Sequence, residues 1–144
     1  MVHFYLSDAT DNDFSFVYEL KKIAYKEYID KIWGWDDDFQ IKFHRENFSS
    51  RNTKIINAGQ QPIGSVDVKA EEKSIFISGL YILPQYQGKG IGTSIINGLI
   101  EMATKEKKRL ELEVLRVNTR AQRLYTNLGF TLEEGDDTKF FMYR

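Results

Sequence analysis

Hydrophobic and polar positions divide this chain of 144 residues into short strands and helices. Alternation of apolar and polar residues is typical of strands, and apolar residues at i, i+3, i+4 and i+7 are typical of helices. Helices are predicted after Thr10 or Asp11, from the aspartate run at 36–38, after Gly90 and after Asn118. Strands are predicted over residues 2–6, 53–58, 63–69, 74–83, 110–114, 130–132 and 139–143.

The resulting order, β-α-α-β-β-β-α-β-α-β-β, predicts an α/β (α+β) fold. Such an order suits a mixed central sheet of about six to seven strands with helices on both faces. The chain has the length of one domain, and no linker, repeat or low-complexity segment interrupts it. We therefore expect a single domain over residues 1–144.

A glycine-rich segment follows the strand predicted at 74–83. Glycines at positions 88, 90 and 92 alternate with Lys89 and Ile91, and a helical pattern begins directly afterwards. The first N–H groups of a helix attract anions, and glycine lets a phosphate approach the backbone closely. Because Lys89 adds a positive charge, the segment predicts a site for a phosphate-bearing ligand such as a nucleotide cofactor.

The glycine spacing narrows the choice of ligand. A Walker P-loop is absent, and in a Rossmann fingerprint the third glycine would come one residue after Gly92. A doubly wound sheet also needs more βα units than follow this segment. A Rossmann-type oxidoreductase is therefore a disfavoured alternative, and a glycine-rich turn that binds nothing is another.

A second segment, residues 118–130, predicts a short helix. Asn118 is a good N-cap, and Gly129 is placed to end the helix. By its pattern alone, Tyr125 belongs to the core. The apolar face of this helix consists of Ala121, Leu124, Tyr125 and Leu128.

Both segments resemble motifs of one enzyme family. The frame Gln87-x-x-Gly90-x-Gly92 is similar to the pyrophosphate-binding motif of the GCN5-related N-acetyltransferases (GNAT), and a frame two residues earlier also fits. Residues 118–130 match the family's second motif, Asn-x-x-Ala-x-x-x-Tyr-x-x-x-Gly-Phe. The motifs occur in the family's order, and the predicted order of elements also matches the GNAT fold.

The resemblance implies acetyl-CoA as co-substrate. The strands that end near Ile82 and Val114 would splay apart and receive the pantetheine arm, which would pair like an added strand. The implied cofactor-binding residues are Leu80, Tyr81, Ile82, Gln87, Gly88, Lys89, Gly90, Ile91, Gly92, Thr93 and Asn118.

The implied reaction is the transfer of an acetyl group to a primary amine of a small molecule or peptide, by direct attack in a ternary complex. The main-chain N–H of Ile82 would polarise the thioester carbonyl. Tyr125 would be the catalytic side chain, because its hydroxyl would lie beside the departing sulfur. A CoA-binding regulatory or sensor module without turnover is the main alternative.

The amine must lose a proton before or during the attack. An amine with a pKa of about 10.4 is protonated at neutral pH, and freeing it costs about 4–5 kcal/mol. A base should therefore assist, and the sequence leaves its identity open. Glu111 and Glu113 also fit solvent-facing strand positions. The candidates are Asp67, Glu111, Glu113, His44 and the aspartates at 36–38.

The acceptor side is indicated by one segment. Trp33, Trp35 and Asp36 fall between the first two predicted helices, in a loop that often covers the acceptor mouth in the resembled fold. Aromatic faces and carboxylates suit a cationic amine. The alternative is structural: the aspartates cap the second helix, and the tryptophans pack beneath the loop.

Composition indicates which partners and which compartment to expect. The net charge of −1 does not favour nucleic-acid binding, and the absence of cysteine fits a reducing compartment. Two histidines do not make a metal cluster by themselves, and no apolar run approaches membrane-spanning length. We expect a cytoplasmic monomer or homodimer that binds no metal, no nucleic acid and no membrane.

Overall fold

The computed structural model describes residues 3–144 and has the predicted order of elements. Two short 3-10 turns, Asp11–Asp13 and Pro84–Tyr86, precede the first helix and the glycine-rich segment. The helices are α1 (Phe14–Ile32), α2 (Asp37–Asn47), α3 (Ile91–Glu106) and α4 (Thr119–Asn127). The strands are β1 (Tyr5–Asp8), β2 (Thr53–Ala58), β3 (Gln61–Ala70), β4 (Ser74–Ile82), β5 (Arg109–Leu115), β6 (Thr131–Glu134) and β7 (Lys139–Tyr143).

The seven strands of the described chain have the order β1-β2-β3-β4-β5-β7-β6. β4 and β5 pair in parallel, whereas β1–β2, β2–β3, β5–β7 and β6–β7 are antiparallel pairs. This mixed sheet with four helices confirms the predicted fold class. The first strand was predicted to begin at Val2, which lies outside the described residues.

The parallel ladder joins Ser74–Ile77 to Arg109–Leu112. These are the first four residues of each strand. The predicted splay of β4 and β5 beyond this ladder stays a prediction.

The chain divides into two compact units. Unit 1 comprises residues 1–67 and 79–89, and unit 2 comprises residues 68–78 and 90–144. β3 and β4 contribute residues to both units. The single domain predicted over residues 1–144 stays a prediction.

In unit 1, side-chain caps fix where the first elements begin. Thr10 caps the turn Asp11–Asp13 in a capping box with Asp13, and α1 follows directly. Asp36 caps α2 by accepting a hydrogen bond from the Phe39 N–H at 3.2 Å. The sequence predicted Thr10 or Asp11 as the first cap and the aspartates at 36–38 as the start of the second helix; the structure has Thr10 and Asp36.

Two glycines of unit 1 allow close packing around the end of β4. A Cβ at Gly64 on β3 would lie 2.3 Å from the Tyr81 carbonyl oxygen and 3.2 Å from the Ile82 Cα. A Cβ at Gly79 would lie 2.7 Å from a ring carbon of Tyr81. Gly64 therefore lets the main chain of β3 approach β4, and Gly79 makes room for the Tyr81 ring.

In unit 2, the hairpin of β6 and β7 closes the sheet. The Asp136 carboxylate accepts from the N–H groups of Thr138 and Lys139, each at 2.8 Å, and fixes the turn. Helix α3 and strands β4, β5 and β7 supply most of the buried apolar side chains. These are Ile75, Ile77, Ile91, Ile95, Ile96, Ala103, Leu110, Leu112, Val114, Leu115, Phe130 and Met142.

Gly64→Ala should destabilise the protein by about 1–3 kcal/mol, because the added methyl group would overlap a main-chain oxygen. Gly98→Ala on α3 is the matched control, since a Cβ there meets no described atom within 4 Å. The control should be stabilised by about 0.5–1 kcal/mol. Chemical denaturation measures both changes, and wild-type stability in Gly64→Ala would contradict the close approach.

Candidate active site

The predicted pantetheine-binding residues form the end of β4 in unit 1. Leu80 and Ile82 are partly buried, and Tyr81 is buried. The Gln87 side chain donates from Nε2 to the Ile82 carbonyl oxygen at 2.8 Å. Gln87 therefore ties the segment after β4 to the last residue of the strand, a structural role that the motif spacing did not predict.

The glycine loop, residues 87–90, needs glycine for its backbone conformation. Gly88 and Gly90 have φ angles of +72° and +85°, in the left-handed region that other residues rarely adopt. A Cβ at either position would meet no described atom within 4 Å. Both glycines and Lys89 between them are exposed, so the loop presents open main chain and one positive charge.

Helix α3 begins after this loop without a side-chain cap. Gly90 is the N-cap residue, and its carbonyl oxygen accepts from the Ser94 N–H at 3.0 Å. The N–H groups of Ile91, Gly92 and Thr93 come too early in the helix to find acceptors within it. The first turn holds no acidic side chain. These uncapped donors at the positive end of a helix fit a phosphate anion.

In unit 2, α4 begins with the predicted N-cap. The Asn118 Oδ1 accepts from the Ala121 N–H at 3.0 Å. Gln122 donates from Nε2 to the carbonyl oxygens of Leu115 and Arg116 at 3.0 and 2.9 Å. These bonds fix the start of α4 to the end of β5, and they leave the Asn118 amide group, with its two donors, at the first turn.

Tyr125 lies at the other end of α4, where the helix stops in a Schellman motif. The Phe130 N–H donates to the Tyr125 carbonyl oxygen and the Gly129 N–H to that of Thr126, both at 3.0 Å. Gly129 has a φ of +92°, and the Phe130 ring lies 5.5 Å from the Tyr125 ring. The spacing Tyr-x-x-x-Gly-Phe therefore orients Tyr125 through the end of its own helix, with the phenol partly buried.

The predicted acceptor segment joins α1 to α2 in unit 1. Trp33 is 61% exposed, so it does not pack beneath the loop. The Trp35 N–H donates to Asp30 at 2.7 Å, and its indole N–H donates to Asp37 at 2.9 Å. Asp36 caps α2, as the structural alternative predicted.

One oxygen of Asp37 accepts hydrogen bonds from three side chains. The Trp35 indole, the Lys22 ammonium and the Tyr18 hydroxyl each lie 2.9 Å from Oδ1. These three bonds lower the pKa of Asp37 to about 2. Burial, together with the bond to Asp37, raises the pKa of Tyr18 to about 12. Asp37 is therefore a poor base at neutral pH, and it holds α1 to the start of α2.

The two glutamates proposed as bases lie on β5 in unit 2. Glu111 forms an ion pair with Arg109, with 3.3 Å between Oε2 and Nε. Glu113 is exposed and lies opposite Phe141 in the β5–β7 ladder. These contacts are those of solvent-facing strand residues.

His44 is buried in unit 1, and both of its ring nitrogens have partners. Nε2 lies 2.9 Å from the Phe14 carbonyl oxygen, and Nδ1 lies 3.1 Å from the Lys21 Nζ. Because a carbonyl oxygen only accepts, these partners assign the proton to Nε2 and make Nδ1 the acceptor for Lys21. Burial lowers the pKa of His44, and both ring nitrogens are occupied by these partners.

Asp67, the remaining candidate base, is partly buried on β3. Its Oδ1 lies 2.6 Å from the Thr53 Oγ1. Burial raises the pKa of Asp67, against the opposing effects of Thr53 and the Lys21 charge. The sequence analysis missed Lys21 and Tyr25, which interact electrostatically with Asp67. The available signal was that Val17, Lys21 and Tyr25 follow one another at four-residue intervals along one face of α1.

Two features are absent from the described residues, 3–144. These residues contain no group of three or more His, Asp or Glu side chains placed to hold a metal ion. None of the helices they form is long and apolar enough to cross a membrane.

Comparison with known proteins finds similarity in sequence and in fold. The model of the acetyltransferase (GNAT) family matches residues 14–130, a range that includes both motifs. Thialysine N-epsilon-acetyltransferase from Mus musculus is 40% identical over 58 residues, which are 40% of this chain and 34% of that protein. The match therefore spans about a third of the length of this curated relative.

Solved structures show the same fold over nearly the whole chain. PaiA N-acetyltransferase from Thermoplasma acidophilum, in complex with coenzyme A, has a TM-score of 0.79 at 19% identity and covers 99% of this chain and 98% of its own. An acetyltransferase from Thermus thermophilus has a TM-score of 0.77 at 19% identity, with coverage of 100% and 99%.

Proposed function

Because this chain belongs to the acetyltransferase (GNAT) family, we propose that it transfers an acetyl group from acetyl-CoA to the primary amine of a small molecule or peptide. The observation that carries the proposal is the family match over residues 14–130, which contains both motifs and every residue assigned below. The amine attacks directly, in a ternary complex.

The proposed acetyl-CoA site uses main-chain groups. The uncapped N–H groups at the start of α3 receive the pyrophosphate, supported by the open glycine loop and the charge of Lys89. The end of β4 pairs with the pantetheine arm like an added strand. The residues proposed to contact acetyl-CoA are Leu80, Tyr81, Ile82, Gln87, Gly88, Lys89, Gly90, Ile91, Gly92, Thr93 and Asn118.

The chain's own groups act on the two charges that develop in the reaction. Acetyl-CoA supplies the activated acetyl group, and the Ile82 N–H stabilises the oxyanion by donating to it. The Tyr125 hydroxyl stabilises the departing thiolate by a hydrogen bond. Full proton transfer from a phenol of pKa about 10 to a thiolate whose acid has a pKa of about 8.5 is uphill by roughly 2 kcal/mol. Tyr125 is therefore assigned as a donor to the sulfur.

The acceptor is proposed to be cationic and to meet Trp33, Trp35 and Asp36. The support is the exposed indole face of Trp33 beside a run of three aspartates. Cations bind to aromatic faces and are attracted by carboxylates. Because three donors within the protein already occupy Asp37, the Trp33 ring is proposed as the main contact for the cationic acceptor.

The proposal also covers the location, domain organisation, oligomeric state and partners of the enzyme. We propose a cytoplasmic protein with one domain over residues 1–144, active as a monomer or homodimer. Its reaction needs no metal, and its partners are acetyl-CoA and the amine, without nucleic acid or membrane.

Gly92→Val should weaken acetyl-CoA binding by at least about tenfold, a loss of about 1.4 kcal/mol, because the branched side chain would stand at the pyrophosphate site. Gly98→Val makes the same change six residues later in α3, at an open position, and should bind normally. Titration calorimetry measures both. Equal affinities in two folded variants would remove the start of α3 from the site. Gly90 is less suitable, because any side chain is strained at its φ of +85°.

Tyr125→Phe should lower kcat by about 10²–10⁴-fold with little change in acetyl-CoA affinity, because only the hydroxyl is lost. Tyr143→Phe on β7 is the matched control and should keep kcat. CoA release can be followed with a thiol reagent, since the chain contains no cysteine. An unchanged kcat, with chemistry rate-limiting, would return Tyr125 to a packing role. Acetyl-CoA binding without turnover in the wild type would favour the sensor alternative.

Trp33→Ala should raise the KM of a cationic amine by about two- to fivefold, the equivalent of an exposed cation–π contact of about 0.5–1 kcal/mol. The melting temperature should stay constant, because the indole is mostly exposed. Phe39→Ala, equally exposed at 61%, is the control and should leave KM unchanged. Equal KM values for both variants would remove Trp33 from the acceptor side.

A further inference from the structure

We propose that Asp67 is the catalytic residue that takes the proton from the acceptor amine, an inference that rests on the acetyl transfer proposed above. Thr53, Lys21 and Tyr25 are its positioning residues. The inference comes from the hydrogen bonds and charges around Asp67, all of them within unit 1.

Asp67 belongs to a polar layer between α1 and the strands of unit 1. In this layer the side chains of α1 interact with His44 of α2 and with polar residues of β3 and β4, and Thr53 of β2 bonds to Asp67. We use the name polar layer for Lys21, Tyr25, His44, Thr53, Asp67 and Tyr81. Burying polar side chains costs free energy unless they pair with one another. A buried group of this size therefore indicates a functional role.

The hydrogen bonds of Thr53 show that Asp67 has a place for a proton. Thr53 Oγ1 lies 2.8 Å from the Ser49 carbonyl oxygen and 2.6 Å from the Asp67 Oδ1. A hydroxyl has one proton, so an ionised Asp67 leaves two acceptors competing for it. A protonated Asp67 donates to Thr53, which then donates to Ser49, and both bonds are complete. The geometry therefore accommodates the carboxyl in both protonation states.

Burial and neighbouring groups act on the pKa of Asp67 in opposite directions. Burial raises the pKa of Asp67, whereas the Thr53 bond and the positive charge of Lys21 act to lower it. Lys21 is itself held in place by His44, whose Nδ1 accepts from it at 3.1 Å. The net effect is a raised pKa of Asp67, the direction that makes a carboxylate a better general base.

The polar layer connects Asp67 with the end of β4. The charge of Asp67 acts on Tyr25, whose phenol is hydrogen-bonded to Tyr81 with the two ring centroids 5.2 Å apart. Tyr81 directly precedes Ile82, whose N–H is proposed to bind the oxyanion. Ser65 is fully buried two residues before Asp67, and its hydroxyl has no hydrogen-bond partner among the described residues. A substrate group or a water would satisfy it.

The proposed step balances as follows. The ammonium group of the acceptor first gives one proton to the Asp67 carboxylate. The neutral amine nitrogen then forms a bond to the acetyl carbon, the carbonyl oxygen takes up negative charge, and the nitrogen loses its second proton to solvent. As the carbonyl re-forms, the carbon–sulfur bond breaks and its electron pair leaves with sulfur as thiolate. Asp67 then returns its proton to solvent.

Three of the other candidate bases are engaged elsewhere. His44 has both nitrogens occupied, and three donors on Asp37 leave it a weakly basic carboxylate. Glu111 pairs with Arg109. Asp67 differs from Asp37 and Glu111 in belonging to the polar layer, and from His44 in having a place for a proton.

The test compares Asp67→Asn with the wild type on a series of amines of decreasing pKa. Asn keeps the size of the side chain and a bond to Thr53 but takes no proton. We expect kcat to fall by about 10²–10⁴-fold for an alkylamine. For an amine whose pKa lies below the assay pH, the loss should shrink to within about tenfold, because that substrate needs less help in losing its proton.

The pH profile supplies a readout that a structural role would not move. Wild-type kcat should rise with pH through the pKa of Asp67, because only the ionised carboxylate accepts a proton. Asp67→Asn should lack this limb. The groups that act on Asp67 are Lys21 and Tyr25 on α1 and Thr53 on β2, so Thr53→Val should shift the limb without abolishing it.

Asp137→Asn, in the exposed turn before β7, is the control and should match the wild type throughout. The same loss of kcat for every amine, or a raised KM at unchanged kcat, would overturn the assignment; the second result would make Asp67 an ammonium-binding residue. If Asp67→Asn turns over like the wild type, this inference alone fails. If the wild type binds acetyl-CoA and acetylates no amine, the proposed function fails and this inference fails with it.

Discussion

Every helix end leaves backbone groups that need partners, and this requirement organises the described chain. Thr10 caps the turn that leads into α1, Asp36 caps α2 and Asn118 caps α4. Helix α3 is different, because Gly90 has no side chain with which to cap it. Helix α1 also lacks a side-chain hydrogen bond from its N-cap residue, Asp13, but it continues directly from the turn that Thr10 caps, whereas α3 follows the glycine loop. The free donors of α3 need an external acceptor, and an anionic ligand supplies one.

The two family motifs combine binding with local structure. Gln87 bonds to the Ile82 carbonyl oxygen, so the first motif fixes its own loop to the strand before it. In the second motif, Gly129 and Phe130 complete the Schellman end of α4 and contact Tyr125. Each motif is short because it specifies one local turn. Their side chains are positioned by neighbours in sequence, which is why the pattern could be read without a structure.

The sequence predicted the order of the elements and the local caps, because both depend on residues a few positions apart. It did not predict the polar layer, in which Lys21, His44 and Asp67 come from three different elements. A lysine on a helix is normally solvated, and its burial depends on what long-range packing places opposite. The sequence also did not decide the surroundings of Trp33 and Trp35. These residues are two positions apart after α1, yet Trp33 is mostly exposed, whereas the Trp35 indole bonds to Asp37.

The anchoring of the α1–α2 segment through Asp37 has an evolutionary consequence. Tyr18 and Lys22 from α1 hold this carboxylate, so the geometry of the segment does not depend on Trp33. A mostly exposed side chain next to a firmly held turn can change identity at little cost in folding stability. Descendants of this sequence can therefore exchange residue 33, the proposed acceptor contact, while the scaffold stays the same.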